Sequence, residues 1–229
     1  LEIHSLPKNI SRAYKFILKR ARILTVLTPF IRERVVKMGI DQGKVLVVPD
    51  AVNMRKFDID ISKEDARKRL GLPFDKKLVG YVGMLRTLGM EKGIDVAINA
   101  LSKMTDSMDT LLVLVGGNTE DVEYYRKMSE GLGLGDRVIF TGMVKHDVVP
   151  VYLKAFDILI APFPETEHYS YYMSPLKIFE YMASGRPIIS TSLPSLMEIL
   201  NDGSNSVLVK PGDASELHVA IVKVLNDPQ

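Results

Sequence analysis

The fourteen residues from Ser174 to Pro187, Ser-Pro-Leu-Lys-Ile-Phe-Glu-Tyr-Met-Ala-Ser-Gly-Arg-Pro, hold the densest chemistry in this sequence. Ser174 is a favoured helix cap, Pro175 a favoured first helical residue, and Gly185 suits the far end. The pattern predicts a helix over 175–184. Free N–H groups of Leu176 and Lys177 at its start, together with the helix dipole, form an anion site. Glu180 lies four residues past Leu176, about 6 Å further along the axis at 1.5 Å per residue. That offset suits a phosphate at the helix tip and a pair of ribose hydroxyls on the carboxylate. The same residues fit a plain capped helix with a surface Glu, and spacing alone leaves both open.

A second group follows Gly80-Tyr81-Val82-Gly83-Met84-Leu85-Arg86. Gly83 ends an apolar run, where a ligand can approach the backbone closely. Arg86 and Lys92 are cations in the next loop and at the next helix start, as a diphosphate requires. Two solvated charges are the alternative. Gly116-Gly117 and Thr141-Gly142-Met143-Val144 each follow an apolar run and fit either a base or sugar pocket or simple turns. Other patterns are set aside. Gly131-Leu-Gly-Leu-Gly135 has the wrong spacing for a dinucleotide fingerprint and precedes a strand. There is no Walker phosphate loop and no Gly-x-Ser-x-Gly elbow. Asp58-Ile59-Asp60 reads as a solvated acidic linker, and the four His are scattered. Glu165, Glu167 and His168 fall in a stretch with Tyr169, Tyr171 and Tyr172, read as a mobile, substrate-facing loop in preference to a metal site.

Regular alternation places these groups. Strands are expected near 23–27, 44–48, 78–83, 111–115, 137–141, 157–161, 187–190 and 206–209. Helices are expected near 9–21, 29–39, 62–70, 92–103, 120–131, 147–155, 175–184, 194–200 and 214–226. The first helix presents Tyr14, Ile17, Leu18 and Ala21 at helical spacing, and Thr28-Pro29 caps and opens the second. Strands alternating with helices mean right-handed βαβ units and a parallel sheet. Leu111-Leu-Val-Leu-Val115 is apolar throughout, as a strand buried on both faces should be. The fold class is α/β, an open, doubly wound parallel sheet of Rossmann-like type, which binds ligands beyond the carboxyl ends of its strands.

Composition narrows the classes. The 229 residues are 46% hydrophobic and 25% charged, an ordinary globular balance, so disorder and fibres are excluded. The net charge of +2 argues against nucleic acid as a partner. The charge is uneven: residues 1–45 carry a net +7 and the remainder a net −5. Apolar runs such as Ile23–Ile31 are interrupted and too short to cross a membrane. With no cysteine, a thiolate zinc site and a cysteine nucleophile are excluded, and a reducing cytoplasm suits the chain. The start at Leu1, without Met or leader, is read as that of a fragment.

The segment 174–189 resembles the donor-site signature of the retaining, GT-B glycosyltransferases, specifically glycosyltransferase family four (group 1). Other stretches resemble that family in order: Val47–Asn53 with Phe57 the interdomain segment, Gly83-x-x-Arg86 with Lys92-Gly93 the diphosphate-contacting pair, Val138–Gly142 the strand before the base-binding turn, and Ala155–Pro162 the strand leading into the signature. The resemblance covers about 22–226. It implies the C-terminal half of a GT-B fold: 1–48 a remnant of the acceptor domain, 49–62 a linker, and 63–229 the nucleotide-sugar domain. It implies catalytic roles for Arg86 and Lys92, which would neutralise the leaving diphosphate without a metal or other cofactor. It implies donor contacts at Gly83, Gly116, Val144, Ser174, Pro175, Leu176, Lys177 and Glu180. Glu180 would hold the ribose, backbone amides after Pro175 the diphosphate, and Val144 the base.

Tyr172 stands where the family's usual signature has its first Glu, and the Arg86-to-Lys92 loop is longer than usual. The expected partners are a nucleotide sugar and, through an acceptor domain outside this sequence, a sugar or lipid-linked glycan. A fragment of this kind is expected to transfer little alone. The basic stretch Lys8, Arg12, Lys15, Lys19, Arg20 and Arg22 admits peripheral contact at the inner membrane face, against a solvated helix side as the alternative. A non-catalytic nucleotide-sugar sensor and a GT-B sugar-nucleotide epimerase are the other function classes.

Overall fold

The computed structural model describes residues 1–7, 9–87, 89–104 and 109–226; Lys8 of the basic stretch lies outside them. The chain forms two compact units. The first comprises Leu1–Ala51, Glu165–Leu176 and Leu193–Ile199, the second Val52–Pro164, Lys177–Ser192 and Leu200–Gln229. The division is therefore not the linear one expected at 48 and 62. Segments 165–176 and 193–199 belong with the N-terminal residues because side chains tie them there. Thr28 Oγ1 donates to the Tyr171 carbonyl at 2.8 Å, and Ser195 Oγ to the Tyr169 carbonyl.

The first unit is built on a parallel sheet of β1 (Glu2–Ile3), β2 (Leu24–Val26) and β3 (Val45–Val47), with β2 central. Helix α1 (Arg12–Arg20) is capped by Ser11 Oγ, which accepts the Tyr14 N–H, and α2 (Pro29–Lys37) by Thr28, with Pro29 opening it. Leu18, Leu24, Val26, Ile31, Val35 and Val45 form the core. Ile17, which shares the helical spacing of Tyr14, Leu18 and Ala21, is exposed, beside exposed Phe16. The stretch expected as a mobile polar loop is a one-turn π-helix, His168–Tyr172, closed by the Met173 N–H on the His168 carbonyl. Tyr169 and Ser170 in it are buried.

The second unit begins with α3 (Met54–Phe57), a short helix inside the expected linker, and α4 (Lys63–Leu70). A parallel sheet follows from β4 (Lys77–Val82), then, after the antiparallel pair β5 (Arg86–Thr87) and β6 (Met90–Glu91) and helix α5 (Ile94–Ser102), from β7 (Thr110–Val115). Helix α6 (Thr119–Gly131) leads to β8 (Val138–Gly142), and α7 (Val149–Ala155) to β9 (Ile158–Ala161). Helix α8 (Leu176–Ser184), β10 (Ile188–Thr191), the short α9 (Pro194–Met197) of the first unit, β11 (Val207–Val209) and α10 (Ala214–Asn226) complete the chain. The strand order is β11-β10-β9-β4-β7-β8. Succession runs one way from β4 to β8 and then the other way from β9, so the topological switch lies between β4 and β9, the ligand crevice of such sheets.

Apolar runs become the central strands: Leu112 to Val115 and Ile158 to Ala161 are all buried. Gly80 in β4 lets the Phe156 ring approach where a Cβ would sit 2.1 Å away. At the opposite edge from the crevice, Asp157 accepts from Lys63 Nζ (2.8 Å), from Arg67 Nη2 (2.7 Å) and from the Leu78 N–H (2.7 Å). One carboxylate thereby joins α4 and β4 to the start of β9.

Candidate functional site

Sequence chemistry pointed to the carboxyl ends of the strands, and the second unit assembles a cluster there. Helix α8 is fixed beneath the switch by Tyr181, a fully buried phenol. Its oxygen accepts the Val82 N–H at 2.8 Å and reaches the Val82 and Ile160 carbonyls at 3.3 and 3.5 Å. Burial pushes this phenol far above its ordinary range. Tyr181 thus grips both β4 and β9 and sets the direction of the neighbouring side chains of α8.

Lys177 and Glu180 share the same helix face as i and i+3. The Lys177 ammonium lies 3.7 Å from the centre of the Tyr81 ring and 5.2 Å from that of Phe163. A Cβ placed on Gly83 would stand 3.0 Å from Lys177 Nζ, so the missing side chain of Gly83, at φ +141°, makes room for the ammonium. Nζ is buried and has no hydrogen-bond partner among the described residues. Burial above all, and the charge of Lys92 next, push Lys177 well below the ordinary ammonium range, while Glu180 pulls it back. Lys92 shares the Phe163 ring, 6.0 Å from its centre, and is also lowered by burial. Ser190 Oγ and Thr191 Oγ1 donate to the Ala161 and Phe163 carbonyls, at 2.8 and 3.0 Å, and fix the segment that carries the ring.

Glu180 is buried, with Oε1 3.3 Å from His146 Nε2. Burial raises its carboxyl, and His146 and Lys177 oppose the rise. His146 stacks edge-on to Phe57 at 5.6 Å. The sequence reading missed both His146 and Tyr181. For His146 a signal existed in its place two residues past Val144, at the turn after β8.

The remaining expected residues divide. Gly116 is spent on packing: a Cβ there would lie 2.3 Å from the Gly83 carbonyl oxygen, and its N–H donates to Gly142 at 2.9 Å. Val144 is half-buried in the turn after β8. Arg86 is not among the cluster's cations. Its Nε donates to Asp121 at 2.6 Å, and its guanidinium lies 4.6 Å from the Tyr124 ring centre. Ser174, Pro175 and Leu176 belong to the first unit. Ser174 Oγ, expected to cap α8, accepts the Asp50 N–H at 2.8 Å. Among the described residues, no three His, Asp or Glu side chains gather closely enough to hold a metal ion.

The sequence profile of the Glycosyl transferases group 1 matches residues 76–227. The chain belongs to this family. An uncharacterised glycosyltransferase of Methanocaldococcus jannaschii is 29% identical over 212 residues, 90% of this chain and 51% of its own length. The 2-deoxystreptamine glucosyltransferase of Streptomyces kanamyceticus is 28% identical over 223 residues, 96% of this chain and 55% of its own. The chain spans about half the length of these curated relatives. In fold it matches Anabaena HepE in complex with UDP and glucose, with a TM-score of 0.76 and 22% identity, covering 99% of this chain and 61% of that one. The group 1 assignment and the GT-B fold inferred from the segment 174–189 both stand, with a six-stranded parallel sheet in the second unit. Among the described residues no helix is long and apolar enough to cross a membrane.

Proposed function

We propose that this group 1 glycosyltransferase binds a nucleotide-diphosphate sugar at the carboxyl edge of its six-stranded sheet and moves the sugar to an acceptor with retention of configuration. One observation carries the reading: at the sheet's switch point a buried carboxylate, Glu180, shares a face of α8 with Lys177, whose buried Nζ lies against Gly83 and shares the Phe163 ring with Lys92. Glu180 accepts hydrogen bonds from the ribose hydroxyls. Val144 and its turn meet the base. As the bond between the sugar and the diphosphate breaks, negative charge builds on the leaving oxygens. Ammonium groups fixed in a low-dielectric site stabilise that charge, with no resident metal in the scheme. Relatives named as glycosyltransferases, and a protein of the same fold holding UDP and glucose, support this class of donor.

The reading extends to the acceptor and the compartment: a sugar or lipid-linked glycan, met at the cytoplasmic face of a membrane. Arg12, Lys15, Lys19 and Arg20 of α1 support it, with Phe16 and Ile17 exposed on the same helix.

Calorimetric titration with UDP, GDP and ADP tests the donor site. One of the three is expected to bind, and Glu180→Ala is expected to weaken it by about 1 kcal/mol or more, the scale of a lost charge-assisted hydrogen bond. Equal binding by the variant would remove Glu180 from the site.

A further inference from the structure

The sequence paired Arg86 with Lys92 as the cations for the diphosphate, and in the structure the two make different contacts. Arg86 is committed to the first turn of α6 through Asp121 and the Tyr124 ring. Glu91, across the β5–β6 pair, accepts from Tyr125 on the same helix. Arg86 therefore clamps the β5–β6 hairpin, which delivers Lys92, to α6.

Lys177 has the opposite character. Its Nζ is buried without an acceptor among the described residues, in a place where burial is costly for a cation. Each surrounding element contributes a stated group. Strand β4 gives the Tyr81 ring, the segment after β9 the Phe163 ring, the residue after β6 the like charge of Lys92, and α8 itself Glu180, which is held by His146. The Glu180 carboxylate acts on Lys177 against the desolvation. A fold that sets two ammonium groups around one ring, Phe163, and desolvates both loses stability, unless an anion offsets the charge. The aromatic faces hold an ammonium without consuming its donors, so those donors are available to phosphate oxygens at the strand end.

We propose that the side-chain ammonium of Lys177, with that of Lys92, forms the cationic pair that binds the two phosphates of the donor, and that Arg86 is a positioning residue for the hairpin that carries Lys92. This rests on the nucleotide-diphosphate reading above and names which side chains serve it. The ligand chemistry is a pair of adjacent phosphate groups. Inorganic pyrophosphate therefore probes it without a base or a ribose.

The test is calorimetry of the protein with pyrophosphate and with UDP, GDP and ADP, beside Lys177→Met, Lys177→Gln, Lys92→Met and Arg86→Gln, each with a thermal melt. Loss of either lysine is expected to weaken pyrophosphate about tenfold or more, the scale of a lost charged hydrogen bond. Lys177→Met is expected to melt no lower than the parent, since it removes an ammonium desolvated between the Tyr81 and Phe163 rings. A residue that merely supports the fold would lower the melt instead. Arg86→Gln is expected to lower the melting temperature and to lose less affinity than either lysine variant. Lys177→Gln keeps a polar head and removes the charge, so the comparison survives if Met is not accommodated. Pyrophosphate binding within twofold of the parent in the Lys177 variants overturns the proposal, as does its absence in the parent. The two readings fail separately. Nucleotide binding that depends on Glu180 and not on Lys177 overturns the pair and leaves the donor site standing. Lys177-dependent pyrophosphate binding with no gain from any nucleoside supports the pair and overturns the nucleotide reading.

Discussion

Asp157 is a half-buried carboxylate and Glu180 a buried one, and their partners give them opposite roles. Burial pushes Asp157 up, but Lys63, the Leu78 N–H and Arg67 outweigh it, so its carboxyl sits below the ordinary value. A depressed value means stability that is present above the unfolded value near pH 3.9 and lost as pH falls through the folded one. Asp157→Ala leaves the buried Arg67 guanidinium without its counter-ion and is expected to cost about 3 kcal/mol or more, read from denaturant unfolding. Little acid sensitivity should remain there in the variant. Glu180 is raised, chiefly by burial. Its favourable state for folding is the protonated one, and that advantage is lost as pH rises through the folded value. Binding ribose hydroxyls needs the ionised form. Nucleotide affinity is therefore expected to fall on the acid side at a pH above the ordinary Glu value of about 4.3, an acid limb absent in Glu180→Gln. An affinity flat from pH 7 to 4 would show that Glu180 makes no ionised contact.

At the scale of elements, the chain's glycines mark where two segments must touch. Gly93 precedes α5 at φ +79°, and a Cβ there would stand 1.7 Å from the Pro162 carbonyl oxygen. That approach brings the segment carrying Lys92 against the segment carrying Phe163. Gly93→Ala meets both an unfavourable backbone angle and a backbone clash that no rotamer relieves. A loss of about 1–3 kcal/mol is expected from urea unfolding. Pyrophosphate affinity should fall with it, because Lys92 moves; unchanged stability would mean that this close approach is not required. The same scale shows what the sequence could carry. Continuous apolar runs, Leu111–Val115 above all, announced the buried parallel strands, and Thr28-Pro29 and Gly185 announced helix ends. The β5–β6 pair has two residues a side with no apolar alternation, so no period exists to read. The π-turn 168–172 looked polar because Tyr169 is buried by partners distant in sequence, Ser195 among them. Of the cluster, the sequence named Glu180, Lys177 and Lys92 as candidates. It gave no sign that Asp121 and Tyr124, 35 and 38 residues on, lie against the Arg86 guanidinium, because spacing does not show which distant segments pack together.

For the whole molecule, the uneven charge is the property that composition alone announced. Residues 1–45 carry a net +7, and the structure shows where part of that charge resides. Helix α1, Arg-Ala-Tyr-Lys-Phe-Ile-Leu-Lys-Arg, has four cations and no acidic residue, and its Leu18 alone is buried. Phe16 and Ile17 are 60% and 55% exposed, and with Leu1, Ala21, Ile23, Arg20 and Arg22 they line an open apolar groove. Arg20 lies 5.4 Å from the centre of the Phe16 ring. Cations bordering exposed aromatic and aliphatic side chains on one helix are the pattern of a segment that rests in a lipid interface, where each basic residue near an anionic surface contributes about 1 kcal/mol. Vesicles of phosphatidylcholine with anionic phosphatidylglycerol are therefore expected to retain the protein in a sedimentation assay at low salt, and pure phosphatidylcholine vesicles to retain much less. Raising the salt to about 1 M, where the screening length is about 3 Å, should release it. Phe16→Ser and Lys15→Glu separate the two contributions: the first should weaken binding at every salt concentration, the second chiefly at low salt. Equal retention by anionic and neutral vesicles would leave the charge of α1 as a solvated face and remove the membrane from this protein's function.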